Sequence, residues 1–271
     1  MGAADAVRSL SDDLRAEQAA LDAVVADRSA DELLAPTPAE GWTVVDQLSH
    51  LAGFDGTATT AIVDAERFDA DLTTLIETGT DPIAGFTDRG RAMTPDAVVA
   101  WWRAGRVELL DAIAHADPSV RVPWYGPPMS LMSFVTARLM ETWAHGQDVR
   151  DAYGLPPEVS GRLRHVAHIG VGARTYSYVV RGLDVPDAAV AVRLTAPDGS
   201  PWTWGPEGDV PDVVSGPALD FCLAVTQRRH LADLDLDVEG PLATEWMGIA
   251  QAFAGGPGPG RAPQATQLPR D

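Results

Sequence analysis

The sequence predicts an α+β protein in which an N-terminal four-helix bundle precedes a smaller α+β domain. Four stretches of roughly 20 residues in the first part of the chain show helical spacing of apolar residues. A strand-turn-strand pattern appears from Val190 onward, and a length of 271 residues suits two domains. We therefore expect a bundle over residues 1–155, an α+β domain over 156–254 and a disordered tail over 255–271.

The four bundle helices are predicted from periodicity and from their capping residues. Thr43 precedes one apolar stretch as a candidate N-cap, and Thr94-Pro95 begins another with an N-cap and a proline at the first helical position. The stretch between them, residues 67–94, is rich in Thr, Gly and Asp and is expected to form a loop. The predicted helices cover residues 4–28, 44–66, 95–115 and 129–153.

The second domain is predicted to mix helices with a short sheet. Residues 190–195 and 202–204 alternate in strand fashion around the turn sequence Pro-Asp-Gly-Ser-Pro, which indicates a hairpin. The final 17 residues, 255–271, begin with Gly-Gly-Pro-Gly-Pro-Gly and lack apolar periodicity, which favours disorder. The remaining predicted elements are helices at 158–181, 217–229 and 242–253 and a strand at 234–238.

Composition excludes several classes of function. The chain has 39 acidic residues and 20 basic residues, all of them Arg, for a net charge of -19, which disfavours nucleic acid as a partner. It has no run of roughly 18 apolar residues that would span a membrane, so a cytoplasmic location is expected. Cys222 is the single cysteine, so any metal site must use His and carboxylate ligands.

The fourth predicted helix carries candidate metal ligands. Glu141 and His145 are four residues apart and share one helix face, and Asp148 continues that face. His50 adjoins the apolar stripe of the second predicted helix and needs a polar partner there. Two His and one Glu suit zinc or a similar divalent ion and leave a coordination position open. The same residues also suit a surface pair and a core histidine, so spacing alone leaves both interpretations open.

Two segments resemble signatures of one protein family. Residues 41–51, Gly-Trp-Thr-Val-Val-Asp-Gln-Leu-Ser-His-Leu, resemble the helix-two signature of DinB-like bundle proteins, particularly the metal-binding domain of the mycothiol-dependent maleylpyruvate isomerase type. Residues 141–149, Glu-Thr-Trp-Ala-His-Gly-Gln-Asp-Val, resemble the helix-four signature of that family. A looser similarity extends over residues 1–155.

The resemblance implies a ligand set and a cosubstrate. It places a zinc-type ion on His50, Glu141 and His145, with the open position taken by water or by the thiol of mycothiol. A bound cation lowers the pKa of such a thiol or water and creates a nucleophile at neutral pH. Asp148 is then expected to orient a ligand or shuttle a proton, the alternative being a charge on the helix surface.

The C-terminal half is similar to the small α+β domain, related to sterol-carrier folds, that follows the bundle in this family. There an arginine faces the carboxylates of the substrate, and the resemblance implies Arg228 and Arg229 for that role. Arginine suits it because its planar guanidinium binds carboxylate with two hydrogen bonds. Alternatively, the two side chains form a cationic cap at a helix C-terminus.

These observations lead to one principal hypothesis. The protein is expected to be an enzyme in which zinc activates a thiol of the mycothiol type for S-transfer to a small electrophilic metabolite or for its cis-trans isomerisation. One alternative is a thiol-independent enzyme that uses the metal as a Lewis acid on a specialised metabolite. Another is a module that binds a metal or a lipid without catalysis.

Overall fold

The computed structural model describes residues 2–258 and 260–264, and the chain divides into two compact units, Met1–Glu158 and Val159–Asp271. Unit 1 is almost entirely helical, and unit 2 combines helices with a small mixed sheet. The expected fold class, a helical bundle followed by a smaller α+β domain, is confirmed. Part of the predicted disordered tail, residue 259 and residues 265–271, lies outside the described residues.

Unit 1 is built around four long helices, α1, α3, α6 and α7, supplemented by shorter ones. Helix α3 contacts α6 and α7, and α1 packs along α7. The helices are α1 Ala3–Val25, α2 Ala30–Leu33, α3 Val44–Val63, α4 Ala65–Thr78, α5 Pro82–Arg91, α6 Pro95–His115 and α7 Leu131–Ala152. Two short antiparallel strands, β1 Arg121–Val122 and β2 Met129–Ser130, precede α7.

The predicted N-cap residues of α3 and α6 are confirmed. The Thr43 hydroxyl accepts a hydrogen bond from the backbone N–H of Asp46, whose carboxylate accepts one from the Thr43 backbone in return. This reciprocal capping box satisfies two N–H groups that a helix start otherwise leaves without partners. At α6, the Thr94 hydroxyl caps the N–H of Ala97.

The expected loop over residues 67–94 is wrong, because most of this stretch forms α4 and α5. Asp64 caps the start of α4, and Gly79 ends it in the left-handed conformation at φ 64°. Asp81 then caps α5, which has Pro82 at its first position. Gly79 and Asp81 therefore end one helix and begin the next, while most other Thr, Gly and Asp residues of the stretch lie within the helices.

Helix α5 lies close against α3 because glycines remove side chains from the contact. A Cβ atom on Gly53 would come within 2.5 Å of three atoms of the Phe86 ring, and one on Gly90 would collide with the Ser49 hydroxyl. Phe86 can therefore lie directly on the α3 backbone. The two glycines position α5 and its aromatic ring beside the middle of α3.

Helix α3 is buried on all sides over residues 44–55, although several of its side chains are polar. The most deeply buried charge is Asp55, whose carboxylate accepts hydrogen bonds from the Arg138 guanidinium of α7 at 2.8 and 3.2 Å. The two side chains are only 1 % and 4 % exposed. Burial raises the pKa of Asp55, and the Arg138 charge opposes this rise without cancelling it. The pair thus holds α3 against α7, although removing the two charges from water costs free energy.

Unit 2 contains a four-stranded sheet in the order β4-β3-β5-β6, with β3 parallel to β5 and the other neighbours antiparallel. The predicted hairpin is confirmed as β3 and β4. The strands are β3 Ala191–Thr195, β4 Pro201–Trp204, β5 Val213–Pro217 and β6 Asp237–Glu239. The helices are α8 Leu163–Gly172, α9 Arg174–Val179, α10 Ala218–Val225 and α11 Pro241–Ile249.

Other predictions for unit 2 are wrong in detail. The expected helix over 158–181 is two shorter helices, and the one over 217–229 ends at Val225, before Gln227 adopts a positive φ of 57°. The strand expected at 234–238 covers only Asp237–Glu239, after a 3-10 turn. Strand β5 was not predicted, because the short apolar run Val213-Val214 carries little pattern by itself.

Within the described residues, no helix is both long enough and apolar enough to cross a membrane.

The first prediction concerns the buried ion pair. Arg138→Met is expected to lower the free energy of unfolding by about 3–5 kcal/mol, because it leaves the Asp55 carboxylate buried without its cation. The double variant Asp55→Leu/Arg138→Met is expected to recover most of that loss, since it removes both buried charges. Urea denaturation followed by tryptophan fluorescence measures both values. A double variant as unstable as the single one would contradict this account.

Candidate metal centre

Helices α3 and α7 bring the three predicted ligands together. His50 projects from α3, and Glu141 and His145 project from successive turns of α7. One Glu141 carboxylate oxygen, Oε2, lies 3.9 Å from His50 Nε2 and 3.3 Å from His145 Nε2. One ligand-type atom from each residue lies within 4.8 Å of the others. A single divalent ion can therefore be reached by all three side chains.

The protonation states in this cluster suit a cation. Burial lowers the pKa of His50 to about 4, helped by the neighbouring His145 and opposed by Glu141, so its imidazole is neutral at pH 7. Burial by itself would raise the pKa of Glu141. Hydrogen bonds from His145 and His50 outweigh that effect and hold the pKa of Glu141 well below its ordinary range. The cluster thus offers one carboxylate beside a neutral imidazole.

A buried glutamine orients His145. The Gln47 carbonyl Oε1 accepts a hydrogen bond of 2.5 Å from His145 Nδ1, which places a ring proton on Nδ1, and His145 Nε2 faces Glu141. The Gln47 amide donates to the Thr37 hydroxyl at 3.0 Å, and that hydroxyl donates to the Trp42 carbonyl at 2.9 Å. These two bonds fix which end of the Gln47 amide faces His145. Gln47 is fully buried.

Aromatic rings enclose the two histidines. The Trp42 ring lies 5.5 Å from the His50 ring and stacks at 6.0 Å on the His145 ring, measured between centroids. The Phe54 ring lies 4.6 Å from the His50 ring, also between centroids. Histidines in apolar surroundings of this kind are shielded from bulk water, which strengthens electrostatic interactions among the clustered side chains.

The remaining predicted site residues lie on α7 and in unit 2. Asp148 is buried at 2 % exposure on α7, and among the described residues it is not part of the metal-ligand group. Arg228 and Arg229 follow α10 in unit 2. Their guanidinium groups donate to the backbone carbonyls of Thr226 and Arg228, respectively. Their roles stay predictions.

Sequence reasoning missed Gln47, Arg138 and the aromatic residues around the histidines. A spacing signal exists for two of them. Gln47 precedes His50 by three positions and Arg138 precedes Glu141 by three positions, so each shares a helix face with a predicted ligand. The aromatic neighbours from other elements, such as Trp42, have no comparable signal, because their contacts form only in the tertiary structure.

Comparisons with known proteins identify a family and close relatives by sequence. Residues 14–150 match the family model described as the mycothiol maleylpyruvate isomerase N-terminal domain. Two relatives, proteins from Mycobacterium tuberculosis strains CDC 1551 / Oshkosh and ATCC 25618 / H37Rv that carry the label uncharacterized, are 45 % identical over 253 residues. These alignments cover 92 % of this chain and 96 % of each relative.

Two solved structures share the fold. The crystal structure of the mycothiol-dependent maleylpyruvate isomerase aligns with a TM-score of 0.57 at 17 % identity, covering 87 % of this chain and 96 % of that one. A mutant of that enzyme aligns with a TM-score of 0.58 at 16 % identity and the same coverage. Since the family model spans half of the sequence, the chain belongs to the mycothiol maleylpyruvate isomerase N-terminal domain family.

Proposed function

We propose that the protein is a metal-dependent enzyme that uses a thiol of the mycothiol type on a small electrophilic metabolite, by cis-trans isomerisation or S-transfer. The observation that carries this proposal is the convergence of His50, Glu141 and His145 from two helices. The names of the family model and of the two structural neighbours, which refer to mycothiol and to maleylpyruvate isomerase, support the thiol and the isomerase chemistry.

The residues present fit a zinc-type ion. Two imidazoles and one carboxylate are ligands that zinc accepts, and three protein ligands leave a position for a small molecule. The buried hydrogen bond from His145 Nδ1 to Gln47 exposes Nε2 as the ligand atom, which is the outer-sphere arrangement expected of ligating histidines. A divalent ion in this site would lower the pKa of a thiol or water that it binds and so supply a nucleophile at neutral pH.

The side chains around the cluster have distinct parts in this proposal. Glu141 holds the negative charge that balances a cation, and Trp42 and Phe54 exclude bulk water from the histidines. Asp148 is proposed to orient a ligand or to shuttle a proton. Arg228 and Arg229 are proposed to bind a substrate carboxylate, because a guanidinium pairs with carboxylate through two hydrogen bonds.

The second prediction tests the ligand set. Purified protein is expected to hold about one divalent ion per chain, zinc in particular, and His50→Ala and His145→Ala are each expected to lose it. Elemental analysis after exhaustive dialysis measures the content. His115→Ala is the matched control, because His115 lies at the exposed end of α6, away from the cluster. Wild-type protein that holds no metal and cannot be loaded with zinc would refute the metal site.

The thiol is tested on protein with known metal content. Calorimetric titration with mycothiol is expected to show binding to zinc-loaded wild type and much weaker binding to His145→Ala, since the open position exists only on the bound ion. Isomerisation of maleylpyruvate in the presence of mycothiol is then assayed directly. Full metal content with no mycothiol binding would leave the metal site intact and refute the thiol.

The third prediction concerns Gln47. Gln47→Leu is expected to weaken zinc binding by about 10–100-fold, because His145 loses the hydrogen bond that fixes its tautomer and ring orientation. Competition with a chelator of known affinity measures the change. Gln147→Leu is the control, since Gln147 is also fully buried and lies on α7, but its carbonyl accepts from the Glu158 backbone instead. Equal losses of zinc affinity in the two variants would argue against a specific role for Gln47.

A further inference from the structure

The segment before α3 contains one hydroxyl group that is hydrogen-bonded on two sides. This hydroxyl belongs to Thr37, which is partly exposed and stands between Pro36 and Pro38, two residues that restrict the backbone. Its Oγ1 donates to the Trp42 carbonyl at 2.9 Å and accepts from the Gln47 amide at 3.0 Å. Through these two partners, Thr37 is connected to the candidate metal ligands.

The direction of this hydrogen-bond chain follows from the Trp42 carbonyl, which can only accept. The Thr37 hydroxyl proton must point to that carbonyl, so the hydroxyl oxygen accepts from the Gln47 amide N–H. The other end of the amide is its carbonyl, which lies 2.5 Å from His145 Nδ1. Thr37 thus requires a proton on Nδ1 of His145, and a metal ion that binds this ring can use only Nε2.

The orientation of the Gln47 amide depends on Thr37. In the part of the chain that the structure describes, the amide bonds to the Thr37 hydroxyl at one end and to His145 at the other. The two ends of an amide have nearly the same shape, so the group can turn over when one partner is lost. The amide N–H would then donate to an unprotonated Nδ1 of His145. Such a flip would move the ring proton to Nε2, the atom that a metal ion needs.

Thr37 also holds the backbone of Trp42. The Trp42 carbonyl accepts from both the hydroxyl and the backbone N–H of Thr37, at 2.9 and 2.8 Å. An antiparallel bridge between Pro36 and Thr43 continues this pairing. The indole that projects from this backbone stacks on the His145 ring at 6.0 Å between centroids. The same segment therefore sets both the polar and the aromatic surroundings of His145.

The two histidines of the cluster differ in their hydrogen bonding. His50 Nδ1 is buried and has no hydrogen-bond partner among the described residues, whereas His145 Nδ1 is bonded to Gln47. A histidine that ligates a metal usually has such a partner on its second ring nitrogen, which fixes the tautomer and the ring orientation. The chain from Thr37 therefore prepares His145 alone, and His50 serves as an internal comparison.

We propose that Thr37 is a positioning residue of the metal centre, which orients His145 for a metal ion through the Gln47 amide. Its hydroxyl performs this role, because only the hydroxyl binds the Trp42 carbonyl and the amide together. The part that a metal ion plays rests on the proposed function. The control of the His145 tautomer does not, because all of its hydrogen bonds lie within the chain itself.

The fourth prediction compares Thr37→Val, which replaces the hydroxyl by a methyl group of similar size, with Thr37→Ser, which keeps the hydroxyl. Thr37→Val is expected to weaken zinc binding by about 5–10-fold, because the Gln47 amide stays in place but loses its fixed orientation. Thr37→Ser is expected to stay within about twofold of the wild type, since its hydroxyl preserves the chain. Competition with a chelator of known affinity measures both values.

A second measurement needs no metal. Heteronuclear NMR of the histidine ring nitrogens, in the metal-free full-length chain at mildly alkaline pH, distinguishes the two neutral tautomers. The wild type and Thr37→Ser are expected to carry the His145 proton on Nδ1, and Thr37→Val is expected to show the Nε2 form as well. The His50 ring lacks this hydrogen-bond chain, so its tautomer is expected to be the same in all three proteins.

Thr59→Val is the matched control. Thr59 is also partly exposed, and its hydroxyl also donates to a backbone carbonyl, that of Asp55, but it lies on α3 beyond His50. This variant is expected to keep the zinc affinity and the His145 tautomer of the wild type. Thermal unfolding shows whether each variant folds, and Thr37→Ala replaces Thr37→Val if the latter does not.

The outcomes separate this inference from the proposed function. An unchanged His145 tautomer in Thr37→Val would overturn the role of Thr37, whether or not zinc affinity falls. Equal losses in Thr37→Val and Thr37→Ser, or in Thr37→Val and Thr59→Val, would also overturn it, and in each case zinc binding by the wild type would leave the metal site standing. A wild type that takes up no zinc would refute the proposed metal chemistry, and the tautomer alone then decides whether Thr37 orients His145.

Discussion

The organisation of unit 1 depends on one constraint, the burial of polar side chains on all faces of α3. A buried polar group without a partner costs free energy, so each of these side chains must meet a complementary group from another part of the chain. Asp46 pairs with Arg91 of α5, Gln47 with His145 of α7, and Asp55 with Arg138 of α7. These pairings set the position of α3 relative to α5 and α7 more narrowly than apolar packing would.

The same constraint shapes the metal-ligand cluster. Gln47 orients His145 because the buried Gln47 carbonyl needs a hydrogen-bond donor. The Asp55–Arg138 pair fixes the distance between α3 and α7, and His50 meets Glu141 across that distance. Burial keeps His50 neutral, and the two histidines keep Glu141 ionised. The network thus holds the candidate ligand atoms in a charge state that a bound cation would stabilise. Burying these polar groups costs folding free energy, and the binding of an ion would offset that cost.

Helices α4 and α5 contribute aromatic rings near the metal-ligand cluster. Phe68 of α4 and Phe86 of α5 come from the stretch that composition marks as a loop. Gly53 and Gly90 let α5 approach α3 closely enough for Phe86 to reach Phe54. The two helices thus add aromatic rings beside a cluster whose three side chains come from α3 and α7.

The sequence by itself determined the bundle helices, their caps at Thr43 and Thr94 and the β3–β4 hairpin, because these depend on local periodicity and capping. The choice of His50, Glu141 and His145 as ligands came from the family resemblance, since their spacing alone left the choice open. The tertiary structure alone decided the partners of Gln47 and Asp55 and the ring contacts of Trp124, since those pairs are separated by many residues. Helices α4 and α5 were misjudged although their caps are local signals, because Thr, Gly and Asp serve both loops and helix ends. Packing against α3 decides whether these residues form a loop or the ends of helices, and the sequence pattern does not contain that packing.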